Sequence, residues 1–122
     1  MEIINLTQHQ ASADQIAEGV FDLDPNEISK LKELLTFTSL PTADEIQHRA
    51  HLITIIAKLH FVEYAMIGGA GYLIPALEAE LRKNGITPLH AFSERVSVEH
   101  TNDQGGVVKT NVFKHVGFIE TK

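Results

Sequence analysis

The first quarter of the chain combines short apolar runs with helix-capping residues. The apolar run at residues 3–6 predicts a strand. Ser12, followed three positions later by Gln15, has the capping-box pattern of a helix, and Gly19 predicts the end of that helix. Residues 20–23 predict a second short strand. The pattern therefore indicates a strand, a short helix and a second strand.

Two longer amphipathic helices follow. Asp24 is the expected N-cap of the first, and Pro25 suits its first helical position. Thr42 and Glu45 form the capping box of the second helix, whose apolar stripe continues to about His60. We expect the two helices to form a hairpin.

The second half of the chain has the pattern of a βαβ unit followed by a β-hairpin. The continuous apolar run at residues 62–68 is typical of a central strand of a parallel sheet, and a glycine-rich turn and an amphipathic helix follow it. Residues 86–93 predict the next, parallel strand. Residues 95–101 and 106–113 alternate between polar and apolar and predict the hairpin. The element order predicts one three-layer, Rossmann-like α/β domain over residues 1–122, with a mostly parallel sheet and a C-terminal antiparallel hairpin.

Composition narrows the possible functions. The absence of cysteine excludes disulfides, thiolate nucleophiles and cysteine-based metal centres. A formal net charge of −6 opposes broad binding to duplex nucleic acid or to anionic lipid. No apolar run reaches the length of a membrane span, and the N-terminal residues lack the pattern of a secretory signal. We therefore expect a cytoplasmic protein that binds neither duplex nucleic acid nor membranes.

The loops that follow the predicted parallel strands are the candidate site, because ligands of open parallel sheets bind beyond the carboxyl ends of the strands. One loop follows the first strand, a glycine-rich loop follows the central strand, and a third loop follows the strand at residues 86–93. The predicted ligand-binding residues in these loops are Thr7, His9, Gly68, Gly69, Gly71, Tyr72, Ser93 and Arg95.

The glycine-rich loop has two interpretations. Glycines allow close approach of a ligand to the backbone, and the N–H groups at the start of the next helix attract an anion. Pro75 is tolerated only in the first turn of a helix, so we expect this helix to begin near residues 70–72. The loop lacks the lysine of a P-loop and the full spacing of a dinucleotide-binding fingerprint. A phosphate cradle and a purely structural turn therefore remain equal alternatives.

Polar groups in the other two loops add chemistry. Ser93 and Arg95 suit recognition of a phosphate or carboxylate, although Arg95 has Glu94 and Glu99 as alternative partners. His9 is predicted to contact the ligand, with general-base catalysis as a weaker alternative.

The remaining charged groups favour solvation over metal binding. Glu45, His48 and His51 recur at i,i+3 spacing, as in half of a carboxylate-bridged metal site, but the other half is missing. We therefore predict no metal and no cofactor. Glu78, Glu80 and Arg82 are predicted to lie on the exposed face of their helix.

The three loops together resemble those of CARF domains, which are small Rossmann-like nucleotide-sensing modules. The resemblance rests on residues 5–9, 68–72 and 93–95, and on the order of elements. It implies a homodimer whose paired loops bind a cyclic oligoadenylate or a similar nucleotide and in some cases cleave it. Two successive helices before the central strand depart from that pattern, and these 122 residues include no attached nuclease or DNA-binding domain. The chain also resembles small uncharacterised proteins of bacteria or phages, which imply no activity.

These observations favour a Rossmann-like module that binds a phosphorylated or nucleotide ligand, as a homodimer. Two alternatives remain: a small phosphodiester-processing enzyme similar to ring nucleases, and a non-catalytic oligomeric adaptor.

Overall fold

The computed structural model describes residues 1–121 of the chain. Its five strands are β1 (Ile3–Leu6), β2 (Val20–Phe21), β3 (Tyr64–Ile67), β4 (Thr87–Thr101) and β5 (Val107–Glu120). Its four helices are α1 (Ala13–Ala17), α2 (Pro25–Leu35), α3 (Ala43–Lys58) and α4 (Ile74–Lys83). The predicted caps Ser12, Asp24 and Thr42 each accept a backbone N–H bond at the start of their helix, which confirms the first three helix starts. Within residues 1–121, no helix has the length and apolar content needed to cross a membrane.

The strands form one five-stranded sheet with the order β2-β1-β3-β4-β5. The first three contacts in this order are parallel, and only β4 and β5 pair antiparallel. The predicted α/β class, with a mostly parallel sheet and a C-terminal antiparallel pair, is therefore confirmed. The sheet curls into a half-barrel.

The two faces of the sheet are covered unequally. Ile4 and Leu6 of β1 join the larger core cluster, which α2, α3 and α4 complete. Ile3 of the same strand points to the opposite face, where it packs with only three other buried side chains, those of Val20, Met66 and Leu89. The helix near this second face, α1, has five residues and buries none of them. A second full layer of helices, and with it the three-layer arrangement, is not confirmed.

Strand β4 differs from the prediction, because residues 93–95 lie inside it and not in a loop after it. The parallel part of β4 pairs with β3 up to Leu89, and the remainder pairs with β5. The pairing with β5 has a register shift between Phe92 and Ser93, which is a β-bulge or a similar irregularity. Because β5 offers hydrogen-bond partners along its whole length, the chain continues as a strand where the sequence alone suggested a break.

Helix α4 begins later than predicted. Its first residue is Ile74 and its N-cap is Leu73, which makes no side-chain capping bond. Pro75 does lie in the first turn, as its missing N–H requires. A separate turn, closed by a bond from the Leu73 N–H to the Ala70 carbonyl at 2.9 Å, occupies the residues that were expected to start the helix.

The prediction that the α4 charges are exposed is wrong for Glu80, which is buried. Its carboxylate lies 3.0 Å from His51 Nδ1 and accepts a 3.4 Å bond from Gln47, so α3 provides its partners. The hydrogen bond with His51 lowers the pKa of Glu80 against the opposing effect of burial, with smaller contributions from the charges of Lys83 and His51. A helix-wheel pattern shows which side of α4 is polar but not that α3 packs there.

Glu78 is also enclosed, with a side-chain exposure of 15%. The hydroxyl of Thr121 donates to its carboxylate, and this bond is the main cause of its lowered pKa; burial acts in the opposite direction. His90 and Arg82 are further partners of the same carboxylate. Since Arg82 also donates to the Thr121 carbonyl at 2.6 Å, these groups attach the C-terminal segment to α4.

The lowered pKa of Glu80 predicts a loss of stability in acid. A carboxyl group whose pKa is lower in the folded state stabilises the fold above its ordinary value of 4.5, and this contribution disappears as the pH falls through the folded-state pKa. We expect the free energy of unfolding of Glu80→Gln to fall less steeply than that of the wild type below pH 4.5. Urea denaturation at a series of pH values measures the two slopes.

The control is Glu63→Gln, which removes one acidic charge from an exposed position. If Glu80→Gln and Glu63→Gln reduced the slope equally, the effect would be that of net charge and the specific role of Glu80 would be disproved.

Candidate functional site

A cavity of about 1060 Å³ lies at the carboxyl ends of β1 and β3. The loop after β1, the start of α1, the glycine-rich loop after β3 and one face of the β4–β5 hairpin form its walls. Five of the eight predicted ligand-binding residues line it, namely Thr7, His9, Gly68, Gly69 and Ser93. The other lining residues are Gln8, Gln10, Ser12, Asp14, Gln15, Leu35, Met66, Ile67, Ala70, Ala91, Phe113 and His115.

Three predicted residues lie outside this lining. Gly71 and Tyr72 belong to the turn that precedes α4, and the exposed Tyr72 ring packs edge-on against Phe37 at a centroid distance of 5.1 Å. Arg95 lies two residues beyond Ser93 along β4, opposite Phe113. The structure therefore brings the first two predicted loops together with Ser93, and places Arg95 next to the cavity wall.

The loop after β1 is held by Asn5, a residue that the sequence interpretation missed. Asn5 is 4% exposed, and its amide donates to the His9 carbonyl and to Asp22 Oδ1, each at 2.7 Å. Its Oδ1 accepts bonds from the backbone N–H and the hydroxyl of Thr7 at 2.9 and 2.7 Å. Asp22 in turn accepts the Ala11 N–H at 3.1 Å. The available signal was a lone amide side chain inside an otherwise apolar strand, since such a group requires buried partners.

This network determines the role of Thr7. Its hydroxyl bonds to Asn5 and lies 3.1 Å from the His9 carbonyl, so both of its contacts shape the loop. The His9 imidazole has no hydrogen bond within residues 1–121 and lines the cavity. Of the two predicted groups, His9 is therefore the one free to meet a ligand.

Backbone geometry accounts for Gly69. Its φ of 143° lies in the region that favours glycine, and a Cβ there would stand 3.5 Å from Leu35. A Cβ on Gly68 would contact Thr7 at 3.4 Å, whereas one on Gly71 would meet open space. The structural-turn interpretation is thus sufficient for Gly69, and the start of α4 lies beyond the cavity lining.

The hairpin wall contains His115, whose side chain is 3% exposed. Its Nε2 lies 2.9 Å from a carboxylate oxygen of Glu18, just after α1, and its ring packs against Phe118 at a centroid distance of 4.9 Å. Its Nδ1 is buried and has no hydrogen-bond partner within residues 1–121. Ser93 is the cross-strand neighbour of His115, so the two side chains lie on the same wall.

Metal binding gains no support from the described residues. No group of three or more carboxylate or imidazole side chains in residues 1–121 is arranged to hold an ion. Glu45 forms an ion pair with Arg49 within α3 at 2.8 Å, and His51 pairs with Glu80 of α4, so two of the three residues with metal-site spacing have other partners.

The fold and the site together define a small α/β domain with a cavity, lined by both polar and apolar residues, at the carboxyl ends of its parallel strands. Residues 1–119 match the model of the uncharacterized protein MJ1673 family, and the chain belongs to this family. Comparison of this chain with the curated proteins and with the solved structures found no match.

Replacing Asn5 should loosen the loop that forms the cavity wall. Asn5→Ala leaves Asp22 and the Thr7 N–H without their buried partner, so we expect unfolding to require roughly 2 kcal/mol less free energy. Chemical denaturation measures the change. Asn111→Ala, at an exposed position of β5, is the matched control and should stay near the wild-type value. Equal effects of the two substitutions would contradict the structural role of Asn5.

Proposed function

We propose that this protein is a Rossmann-like module that binds a phosphorylated or nucleotide ligand in the cavity at the carboxyl ends of β1 and β3. The observation that carries the proposal is the cavity itself, because its position is the one at which open parallel sheets bind ligands. Its volume of about 1060 Å³ is sufficient for a nucleotide. Binding of a nucleotide would agree with the resemblance of the three loops to those of CARF domains. That resemblance is part of this proposal.

Ligand binding is better supported than catalysis. A general base needs a group that orients it and a substrate atom within reach. Within the described chain, His9 has no side-chain partner, and the Thr7 hydroxyl is engaged with Asn5. The ring-nuclease-like alternative would depend on His9, and no contact in residues 1–121 prepares His9 for that role.

Ligand-dependent stabilisation tests the proposal. We expect at least one member of a panel of mononucleotides, dinucleotides and cyclic oligonucleotides, each at about 1 mM, to raise the melting temperature. A panel that leaves the melting temperature unchanged would contradict the proposed function.

Two matched variants locate the binding site. Ser93→Tyr places a large ring in the cavity wall, and we expect it to abolish the stabilisation. Ser97→Tyr changes the same residue type four positions further along β4, outside the lining, and should retain it. A ligand that stabilised both variants equally would bind elsewhere.

Homodimer formation is a second proposal, favoured by strand β5. This strand of 14 residues is at the edge of the sheet and pairs with β4 on one side only. Val112, Val116 and Ile119 on β5 are exposed. A long edge with exposed apolar side chains pairs readily with another strand, and a second copy can supply that strand antiparallel to the first.

Light scattering during size-exclusion chromatography checks this proposal. We expect a dimer at about 10 μM chain concentration. Val116→Lys, on the edge strand, should shift the chain toward monomer, whereas Val98→Lys on β4 should leave the dimer intact. A monomeric wild type at this concentration would disprove the pairing.

A further inference from the structure

The charge of the cavity walls indicates which part of a nucleotide they suit. The lining includes no lysine or arginine and one carboxylate, Asp14. His115 lies 2.9 Å from Glu18, so whichever proton state the imidazole takes, the pair adds no net positive charge. Only His9 remains to supply a cation. A phosphate inside this cavity would lose its hydration without gaining a compensating charge, which is unfavourable.

The N-terminus of α4 does not replace the missing cations, and α1, whose start lines the cavity, has only five residues and directs its Gln15 N–H to the Ser12 side chain. Helix α4 begins at Ile74, and its first-turn residues are absent from the lining, so its N-terminal N–H groups are not at the cavity. The partial positive charge of a helix start acts only within about its first turn. The anion site that the glycine-rich loop suggested in the sequence therefore lacks its helix.

The groups that do line the cavity suit a neutral, planar, hydrogen-bonding ligand. Gln8 and Gln10 each carry an amide with two donor hydrogens and an acceptor oxygen, which is the side chain that pairs with base edges in protein–nucleic acid complexes. The Gln15 oxygen accepts the Ser12 N–H in the capping box of α1, so Gln15 offers its donor hydrogens alone. Phe113 also lines the cavity, and this residue is 72% exposed, so its ring is accessible for stacking. Met66 adds an apolar surface.

The imidazole of His115 is an independent observation that points to a ligand. Its side chain is only 3% exposed, and its Nδ1 has no hydrogen-bond partner in residues 1–121. A buried nitrogen that stays unpaired is costly, and a ligand that displaced the groups covering it would supply the missing partner. A neutral N–H or O–H group of a base or sugar provides such a bond without introducing charge.

A positive group lies just outside the cavity. Arg95 forms no ion pair within the described residues. Its guanidinium carbon lies over the Phe113 ring, 5.6 Å from the ring centre, which is the geometry of a cation–π contact. A base stacked on Phe113 would therefore have a guanidinium beside it, at the outer end of the wall. That is a suitable position for a phosphate that remains in contact with solvent.

We propose that the cavity binds the base of a nucleotide, with the amide side chains and Phe113 as its recognition groups, and that the phosphates stay outside beside Arg95. This inference rests on the proposed function and specifies it, since it makes the nucleoside the part that is recognised.

Comparing nucleosides, nucleotides and pyrophosphate tests the inference. The probes are adenosine, guanosine, cytidine and uridine, their 5′-monophosphates, and inorganic pyrophosphate, with affinities measured by isothermal titration calorimetry. We expect at least one nucleoside to bind within about tenfold of its monophosphate, and pyrophosphate not to bind at about 1 mM.

Three variants assign the contacts. Phe113→Ala should weaken the nucleoside and its monophosphate alike, by about tenfold or more, through lost stacking. Arg95→Gln should weaken the monophosphate alone and leave the nucleoside unchanged. Lys109→Gln removes a positive charge elsewhere on the hairpin and should change neither affinity. Circular dichroism and the melting temperature without ligand show that each variant is folded.

The possible failures are distinct. Binding of pyrophosphate together with monophosphates, but of no nucleoside, would overturn this inference and leave the proposed function standing. If no nucleoside bound but a dinucleotide or a cyclic oligonucleotide of the melting-temperature panel did, this inference alone would fail; if nothing in either set bound, the proposed function itself would fail. Loss of nucleoside affinity in Arg95→Gln would also contradict the assigned positions of base and phosphate.

Discussion

The hydrogen bonds of the Asn5 side chain are the constraint on which the site depends. Asn5 has apolar, buried neighbours in β1, and its amide uses both its donor and its acceptor groups. The Asn5 side chain bonds to both ends of the turn at residues 7–9 and also attaches this turn to Asp22, next to β2. Because a buried amide is stable only with its partners in place, the bonds define the position of the loop more narrowly than apolar packing would. Residues 8–10, which line the cavity, take their positions from this turn.

The hairpin supplies the opposite wall, and two contacts over long sequence separations hold it. His115 meets Glu18 at 2.9 Å, which joins β5 to the end of α1. Arg82 of α4 donates a hydrogen bond to the Thr121 carbonyl, and this bond joins the segment after β5 to α4. Between these contacts the sheet curls, and the register shift at Phe92 and Ser93 turns Ser93 toward the same wall as His115. The cavity thus lies at the carboxyl ends of the strands, between the end of α2 and the sheet face that the longer helices leave uncovered.

Features determined by neighbouring residues were predictable from sequence, and features determined by distant partners were not. Ser12, Asp24 and Thr42 cap the backbone three residues ahead, so their helices could be identified from short motifs. The continuity of β4 at residues 93–95 depends on pairing with residues 113–115 of β5, and the burial of Glu80 depends on His51 of α3. Both sets of partners lie well beyond the few residues that a local motif spans. The same reason explains the candidate site. The loops after β1 and β3 were identified from strand ends, whereas His115 and Phe113 reach the cavity only because the hairpin folds back over it.

The glycine-rich loop illustrates why a motif and a site need separate arguments. Gly69 adopts a backbone angle that favours glycine and packs near Leu35, so its presence follows from the turn between β3 and α4 whether or not a ligand binds. A composition that folding alone explains provides no information about the chemistry of the ligand. That information comes from groups whose hydrogen-bonding or stacking capacity the fold leaves unused at the cavity: amide donors of the glutamines, an exposed aromatic ring and an imidazole nitrogen without a partner among the described residues. These groups are neutral or charge-balanced, and for this reason we assign the cavity to a base and not to a phosphate.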